Sequence, residues 1–504
     1  MSRRWFITIM VVATGILISP EARADSGDFY LNKLQVLTEK DGHTAATMLN
    51  PEGRGDALIF PYYDVREIDG KAQDFYFTII NDDRDCENPS VECHMGMAAK
   101  VRFREWDKGE ELLDFDAWLS RGDVWVGALT HNTSLSLPYG ARITSPDWVI
   151  INYTSGTFTV DNALQGGLDL PGTAYIPAGS NNLMGYIEVI GEERTFDHQT
   201  SGAVTRFTGN SDAPNSLMGY GYIVRAADGV SFAYNAKAIA NFSRNQGSLF
   251  QSPGGIKPTL MDCEDTLDEL EFQIAKEEVI ASYSIEDALA GKMSLILTFP
   301  TKWAHFSGKP NYTIKGPGAF GGVYPLGPPW TAPNANSPET IQVTIFDQNE
   351  NSVIPSSCPV SPCPGPLGLP YEVNVIGLYK ATPPTVPAAG NRDNVALSTT
   401  TFASGYVRIH FPNTGYVQAS NPTITRFLDF GTFLDTYGGL PVLGLSLQQF
   451  SNGNVGGFYG DIRDVFYEIT RASNWGSMKE GTGGSICQKS KGTHCRMRER
   501  RSYR

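Results

Sequence analysis

Asp114 and Asp116 are separated by one apolar residue, Phe115, and flanked by Leu113 and Ala117. On an extended strand that spacing puts both carboxyls on the same side. Two carboxyls ~5–9 Å apart are what glycoside hydrolysis needs: one protonates the leaving oxygen and the other acts as base or nucleophile. Glu188, in the middle of Tyr186-Ile187-Glu188-Val189-Ile190, is a third candidate. The wet face of an ordinary strand carries the same residues with no chemistry, so both readings stand. Trp106, Trp118, Trp125 and Trp148 would supply a stacking platform for sugar rings; large aromatics also fill sandwich cores by cross-strand packing.

Calcium is the ion the sequence could hold, since it takes several hard oxygens from a turning backbone. Asp82, Asp83 and Asp85, with Glu87 and Glu92, lie together in one acidic stretch. Asp347, Asn349 and Asn351 present oxygens at alternate positions, without the glycine and terminal glutamate of an EF-hand. A solvated hydrophilic loop is the competing explanation at each place. No other cofactor is predicted. The seven histidines form no H-E-x-x-H motif or paired spacing, and no C-x-x-C-H is present. A G-x-S-x-G elbow and a Walker loop are likewise missing.

The seven cysteines fall into three close pairs and a single. Cys86 with Cys93, Cys358 with Cys363, and Cys487 with Cys495 are expected to form local disulfides in an oxidising compartment, leaving Cys263 as a thiol.

These residues need a scaffold, and strand signals supply one along most of the chain. Segments 57–63, 74–81, 97–105, 111–119, 123–129, 148–153, 184–190, 220–225 and 232–241 are rich in β-branched and aromatic residues. Segments 293–299, 341–346, 371–378, 405–411 and 441–447 continue the series. In Lys100-Val101-Arg102-Phe103-Arg104 apolar and basic residues alternate. That pattern predicts a strand with one face on a core and one in water. Stretch 261–291 carries a helical apolar stripe of Leu267, Leu270, Ile274 and Val279. The expectation is an all-β, mostly antiparallel protein: two or more immunoglobulin-like β-sandwich units, 25–260 and 292–478, with a short helical segment between them. Pro-rich stretches 309–333 and 355–370 read as surface loops of the second unit. Leu-Met-Gly-Tyr recurs at 183–186 and 217–220, an echo too short to define a repeat.

A basic start at Arg3 and Arg4, a short apolar run to Ile18 and Ala22-Arg23-Ala24 form an export signal over residues 1–24. Ser2-Arg3-Arg4 with Phe6-Ile7 also approaches the twin-arginine pattern, so both export routes are open. The protein is expected in the periplasm, at the cell surface or secreted. The whole chain has net charge −14; the leader contributes +2 and the basic tail 479–504 contributes +6, leaving −22 on the body. So acidic a body repels nucleic acid and anionic lipid. The tail reads as a disordered end, and no later apolar run is long enough for a transmembrane helix.

Ala57-Leu-Ile-Phe-Pro-Tyr-Tyr63, Val101-Arg-Phe-Arg-Glu105, Leu113-Asp-Phe115 and Gly122-Asp-Val-Trp125 together are similar to a pattern in a family of uncharacterised exported proteobacterial β-rich proteins. Gly185-Tyr-Ile-Glu-Val-Ile190, Leu297-Thr-Phe-Pro-Thr-Lys302, Leu369-Pro-Tyr-Glu-Val-Asn-Val375 and Gly439-Leu-Pro-Val442 fit the same pattern, spread from about residue 55 to 460. The resemblance implies export and a shared β architecture, and names no activity; the basic tail departs from it. The function expected is that of an exported non-enzymatic surface, adhesion or binding protein, whose partner is a surface protein or a glycan. A secreted or periplasmic carbohydrate-active hydrolase is the alternative.

Overall fold

A computed structural model describes residues 47–83, 95–131, 141–154, 156–169, 183–196, 203–205, 213–243, 248–253, 255, 257–263, 267–306, 329–330, 338–353, 368–380, 392–399, 402–417, 435–451, 458–469, 487–489 and 495–497. Their architecture is all-β and mostly antiparallel, in two pairs of facing sheets.

The first pair combines a nine-stranded and a six-stranded sheet. The larger runs in the order Met48–Asn50, Lys237–Ala240, Ala57–Asp64, Met184–Phe196, Met95–Glu105, Glu111–Leu119, Val149–Thr154, Thr157–Asp161, Ala203–Thr205. The smaller runs Leu168–Asp169, Ala141–Thr144, Val124–His131, Asp74–Asn81, Leu217–Arg225, Val230–Asn235. Alternation sets what lies between them. Phe75, Phe77 and Trp125 from the smaller sheet meet Phe60, Tyr63, Phe103 and Phe115 from the larger. Each such ring contributes about 1.5–3 kcal/mol by leaving water.

The second pair combines a six-stranded sheet, built on Ala275–Ser284, Gln342–Asp347 and Ser404–His410, with a five-stranded sheet centred on Lys292–Thr298. Its core holds Val279, Leu295, Leu297, Ile345, Ile376 and Ile409. Val373–Tyr379 and Val395–Ser398 form the one parallel pairing among the described residues. Nine and six strands in one pair exceed the seven to nine of a whole immunoglobulin domain. The layering is therefore that of a sandwich, and the strand count is not that of the immunoglobulin unit.

The helical segment is shorter than expected over 261–291. A capped turn, Leu260–Asp262, precedes the helix Leu267–Ile274, and the chain then enters the strand Ala275–Ser284. Leu267, Leu270 and Ile274 are buried as the stripe requires, but Val279 belongs to the strand. Pairing of Val279 with Ile409 and of Ala281 with Val407 overrides the helix propensity of Ala275-Lys-Glu-Glu278.

The two pairs adjoin along a seam where Ile296, Val375, Leu445 and Leu447 of the second join the apolar core of the first, and hydrogen bonds also cross it. Tyr186 Oη donates to the Pro300 carbonyl (3.2 Å), Arg66 Nη2 to the Arg392 carbonyl (2.7 Å) and Arg225 Nη2 to Gln449 Oε1 (2.8 Å). Main chain joins in: Val373 N donates to Trp106 O (3.0 Å) and Glu372 N to Asp107 O (3.2 Å).

Candidate functional site

The candidate carboxylates sit on the outward side of the nine-stranded sheet. Register places Arg102 opposite Asp114 on one neighbour and Glu188 on the other, with Lys100 opposite Asp116. Lys100 Nζ reaches both aspartates, at 3.0 Å from Asp114 and 2.5 Å from Asp116. Arg104 Nε lies 2.5 Å from Glu188 Oε1 and its Nη2 3.3 Å from Oε2, a two-point grip; Arg102 Nη1 lies 3.7 Å from the same carboxylate.

This face was expected to be wet, and it is buried. Lys100, Arg102, Arg104, Asp116 and Glu188 are all almost fully excluded from solvent. The cover comes from residues distant in sequence. Leu249 N donates to the Glu192 carbonyl (2.8 Å), Arg102 Nη1 to the Pro258 carbonyl (2.5 Å), and the Trp303 ring lies 3.8 Å from the Arg104 guanidinium carbon. Lys302 is buried on the short helix Lys302–Phe306 and donates to the Pro370 carbonyl (2.7 Å).

Electrostatics follow from that burial. Desolvation pushes Asp116 up to about 6, against the attraction of Lys100. A bulge between Gly191 and Glu193 takes Glu192 out of the ladder. Its carboxyl oxygens accept no hydrogen bond, and burial, then Asp116, raises it well above the usual range. Glu372 at the seam is in the same state, raised by burial despite nearby Lys302 and Arg104. Such a lattice holds strands together; it offers a sugar no cleft.

Among the calcium candidates, Asp82 pairs with Arg54, and Asp83 is buried with its carbonyl accepting from Arg121 Nε (2.8 Å). Asp85, Cys86 and Cys93 lie outside the described residues, as do Cys358 and Cys363. Asp347 is saturated by its own loop. Oδ1 accepts from the Asn349 and Asn351 amides, and Oδ2 from Asn351 Nδ2, each at 2.8 Å. Those bonds, the Asn351 side chain foremost, hold the Asp347 carboxyl below its usual value. No group of three or more His, Cys, Asp or Glu is placed to hold a metal ion among the described residues. Cys487 and Cys495 fall on two short paired strands, opposite Met497 and Lys489. Cys263 is buried with Sγ 3.5 Å from Thr47 Oγ1.

The tryptophans do not make a platform. Trp106, Trp118 and Trp125 are buried, and only Trp148 of the four is exposed.

The exposed aromatic surface lies elsewhere, on the outward face of the six-stranded sheet, and sequence reasoning missed it. Three successive rungs cross that face: Tyr222–Tyr76–Ala128–Thr144, Tyr220–Thr78–Val126, and Met218–Ile80–Val124. None carries a charge. The next rung carries Asp74 opposite Val224 and Arg142 opposite Thr130, and at the sheet's edge the Asp147 carboxylate accepts from Val126 N (2.6 Å). Tyr76, Tyr222 and Val126 are each 37% exposed and Val124 44%. Beside Tyr76 a groove of about 300 Å³ opens between the sheet and the Thr144–Pro146 turn, with Gln165 on its rim. The available signal was the lack of charge along 75–80, 124–129 and 217–224. Such runs usually mean a strand covered on both faces. Here one face is open.

No family model, curated protein or solved structure matches this chain. No helix among the described residues is long and apolar enough to cross a membrane.

Proposed function

We propose that this chain is an exported, non-enzymatic binding protein that presents the outward face of its six-stranded sheet to a ligand at the cell surface or in the periplasm. One observation carries the reading: three uncharged rungs holding Tyr76, Tyr220 and Tyr222 stay open to solvent on a rigid sheet. Contiguous exposed apolar surface on a globular protein marks an interaction site. The leader-like pattern of residues 1–24 and the paired cysteines support the exported location. Catalysis at Asp114, Asp116 or Glu188 has no such support, because these carboxyls are consumed by Lys100 and Arg104.

The test is retention of the purified full chain on envelopes isolated from the cells that make it. Tyr76→Ala and Tyr222→Ala are expected to cut the retained fraction at least tenfold, with Leu289→Ala, an exposed site on the other sheet pair, unchanged. Equal retention of all three variants overturns the reading. So does turnover of an envelope polysaccharide that Asp116→Asn abolishes in a folded protein.

A further inference from the structure

We infer that the ligand of this face is a neutral glycan, stacked on Tyr76 and Tyr222 with its edge in the groove beside Gln165; the inference rests on the binding reading above. Three features select that chemistry. The first is the pairing of Tyr222 directly opposite Tyr76, with Tyr220 on the next rung. Cross-strand neighbours stand about 5 Å apart, so the two tyrosines stand side by side on the outward face. A pyranose matches it, having an apolar C–H face and a hydroxylated edge, as the tyrosines have a ring and a hydroxyl.

The second is the groove's lack of charge. Its walls are mainly apolar, Thr144 and Gln165 bring a hydroxyl and an amide to the lining, and no charged residue lines it. Groups of that kind hydrogen-bond hydroxyls; they offer a sulfate, phosphate or uronate no counter-charge, and the acidic body repels those anions. A volume of about 300 Å³ is at the small end of ligand sites, suited to one or two sugar rings of a longer chain.

The third is area. From Met218 to Tyr222 the strip runs about 14 Å along the strand, and the five strands of its widest rung, Ala233–Tyr222–Tyr76–Ala128–Thr144, span about 19 Å across it. The resulting ~270 Å² is far below the ~800 Å² that each partner of a stable protein complex buries. A protein docked here would need most of its interface elsewhere. An oligosaccharide would not.

The experiment is a glycan array carrying several hundred neutral and anionic glycans, probed with the full chain, followed by calorimetric titration of the best neutral hexasaccharide. Expected are neutral hits only, a micromolar-to-millimolar Kd, and at least tenfold weakening in both Tyr76→Ala and Tyr222→Ala. Gln165→Ala is expected to weaken binding about three- to tenfold with the same unfolding midpoint as the parent chain. Failure of every neutral glycan, or binding that survives both tyrosine substitutions, overturns the inference. Tyrosine-dependent retention on envelopes that protease treatment of those envelopes abolishes would assign the face to a protein. The glycan inference then falls while the binding reading stands. Tyrosine-independent retention removes both.

Discussion

The guanidinium carbon of Arg104 lies 3.8 Å from the centre of the Trp303 ring. An arginine in the first sheet pair is thereby capped by an indole from the second, while its other edge grips Glu188. Removing Arg104 leaves Glu188 buried with only the longer contact to Arg102. Arg104→Ala is expected to cost ~3–5 kcal/mol, the range for breaking one side of a buried ion pair. The double variant Arg104→Met/Glu188→Gln should recover most of that, because it leaves no uncompensated charge. Urea midpoints of the parent chain, Arg104→Met, Glu188→Gln and the double variant measure the pairing, and additive losses would contradict it.

Acidity should stabilise the fold. Burial raises Asp56 and Asp116 to about 6 and Glu105 to about 7, and lifts Glu192 and Glu372 well above the usual carboxylate range. Unfolded carboxyls titrate near ~4, so between about pH 4 and 7 the folded chain binds more protons than the unfolded one. Their stabilisation is complete below about pH 4 and is lost as pH rises through 6 and 7. Asp64 and Asp69, held below their usual values, act oppositely and lose their contribution as pH falls. The melting temperature should therefore peak near pH 4–5 and fall by on the order of 5 °C towards pH 8. Lys100→Met removes the cation beside Asp116 and should steepen that fall. Scanning calorimetry from pH 4 to 8.5 decides; a melting temperature that climbs with pH would count against it.

Gly127 backs the tyrosine face from inside. A Cβ there would meet Phe77 Cε1 at 2.5 Å and Trp125 Cζ3 at 2.8 Å. Gly127→Ala should cost ~1–3 kcal/mol by overpacking and alter the near-ultraviolet circular dichroism of Trp125. Gly122→Ala, at φ +70° with open space around it, should cost ~1–2 kcal/mol through its backbone and leave that spectrum alone.

Alkylation of the denatured, unreduced chain is expected to label one thiol, that of Cys263, and after reduction all seven. The native chain should resist labelling, since Cys263 is buried. Three or more labelled thiols without reductant would refute the local pairing of Cys86 with Cys93, Cys358 with Cys363 and Cys487 with Cys495.

Strand positions were legible in the sequence because alternation and β-branched content are local properties. Segments 74–81 and 111–119 coincide with Asp74–Asn81 and Glu111–Leu119 to the residue. Polarity was not legible. Alternation tells which side chains share a face, and says nothing of what covers it. Lys100, Arg102 and Arg104 share a face as their spacing requires, but Pro258 and Trp303, some 150 to 200 residues away, roof it. Tyr76 and Tyr222 drew no attention for the converse reason, since nothing local reveals a missing roof. The sheet with bases on its outer face is buried, and the sheet with valines and tyrosines there is wet. Burial of Asp116 and Glu188 was beyond reach on the same ground, although their shared strand faces were not.

Main-chain bonds from Val373 and Glu372 to Trp106 and Asp107 cross the seam within a turn of one sheet pair. Bonds of that kind do not depend on side-chain identity, so of all point substitutions only a proline at 372 or 373 removes the donor. Exchanging either sheet pair for another module would therefore have to preserve the backbone path of both.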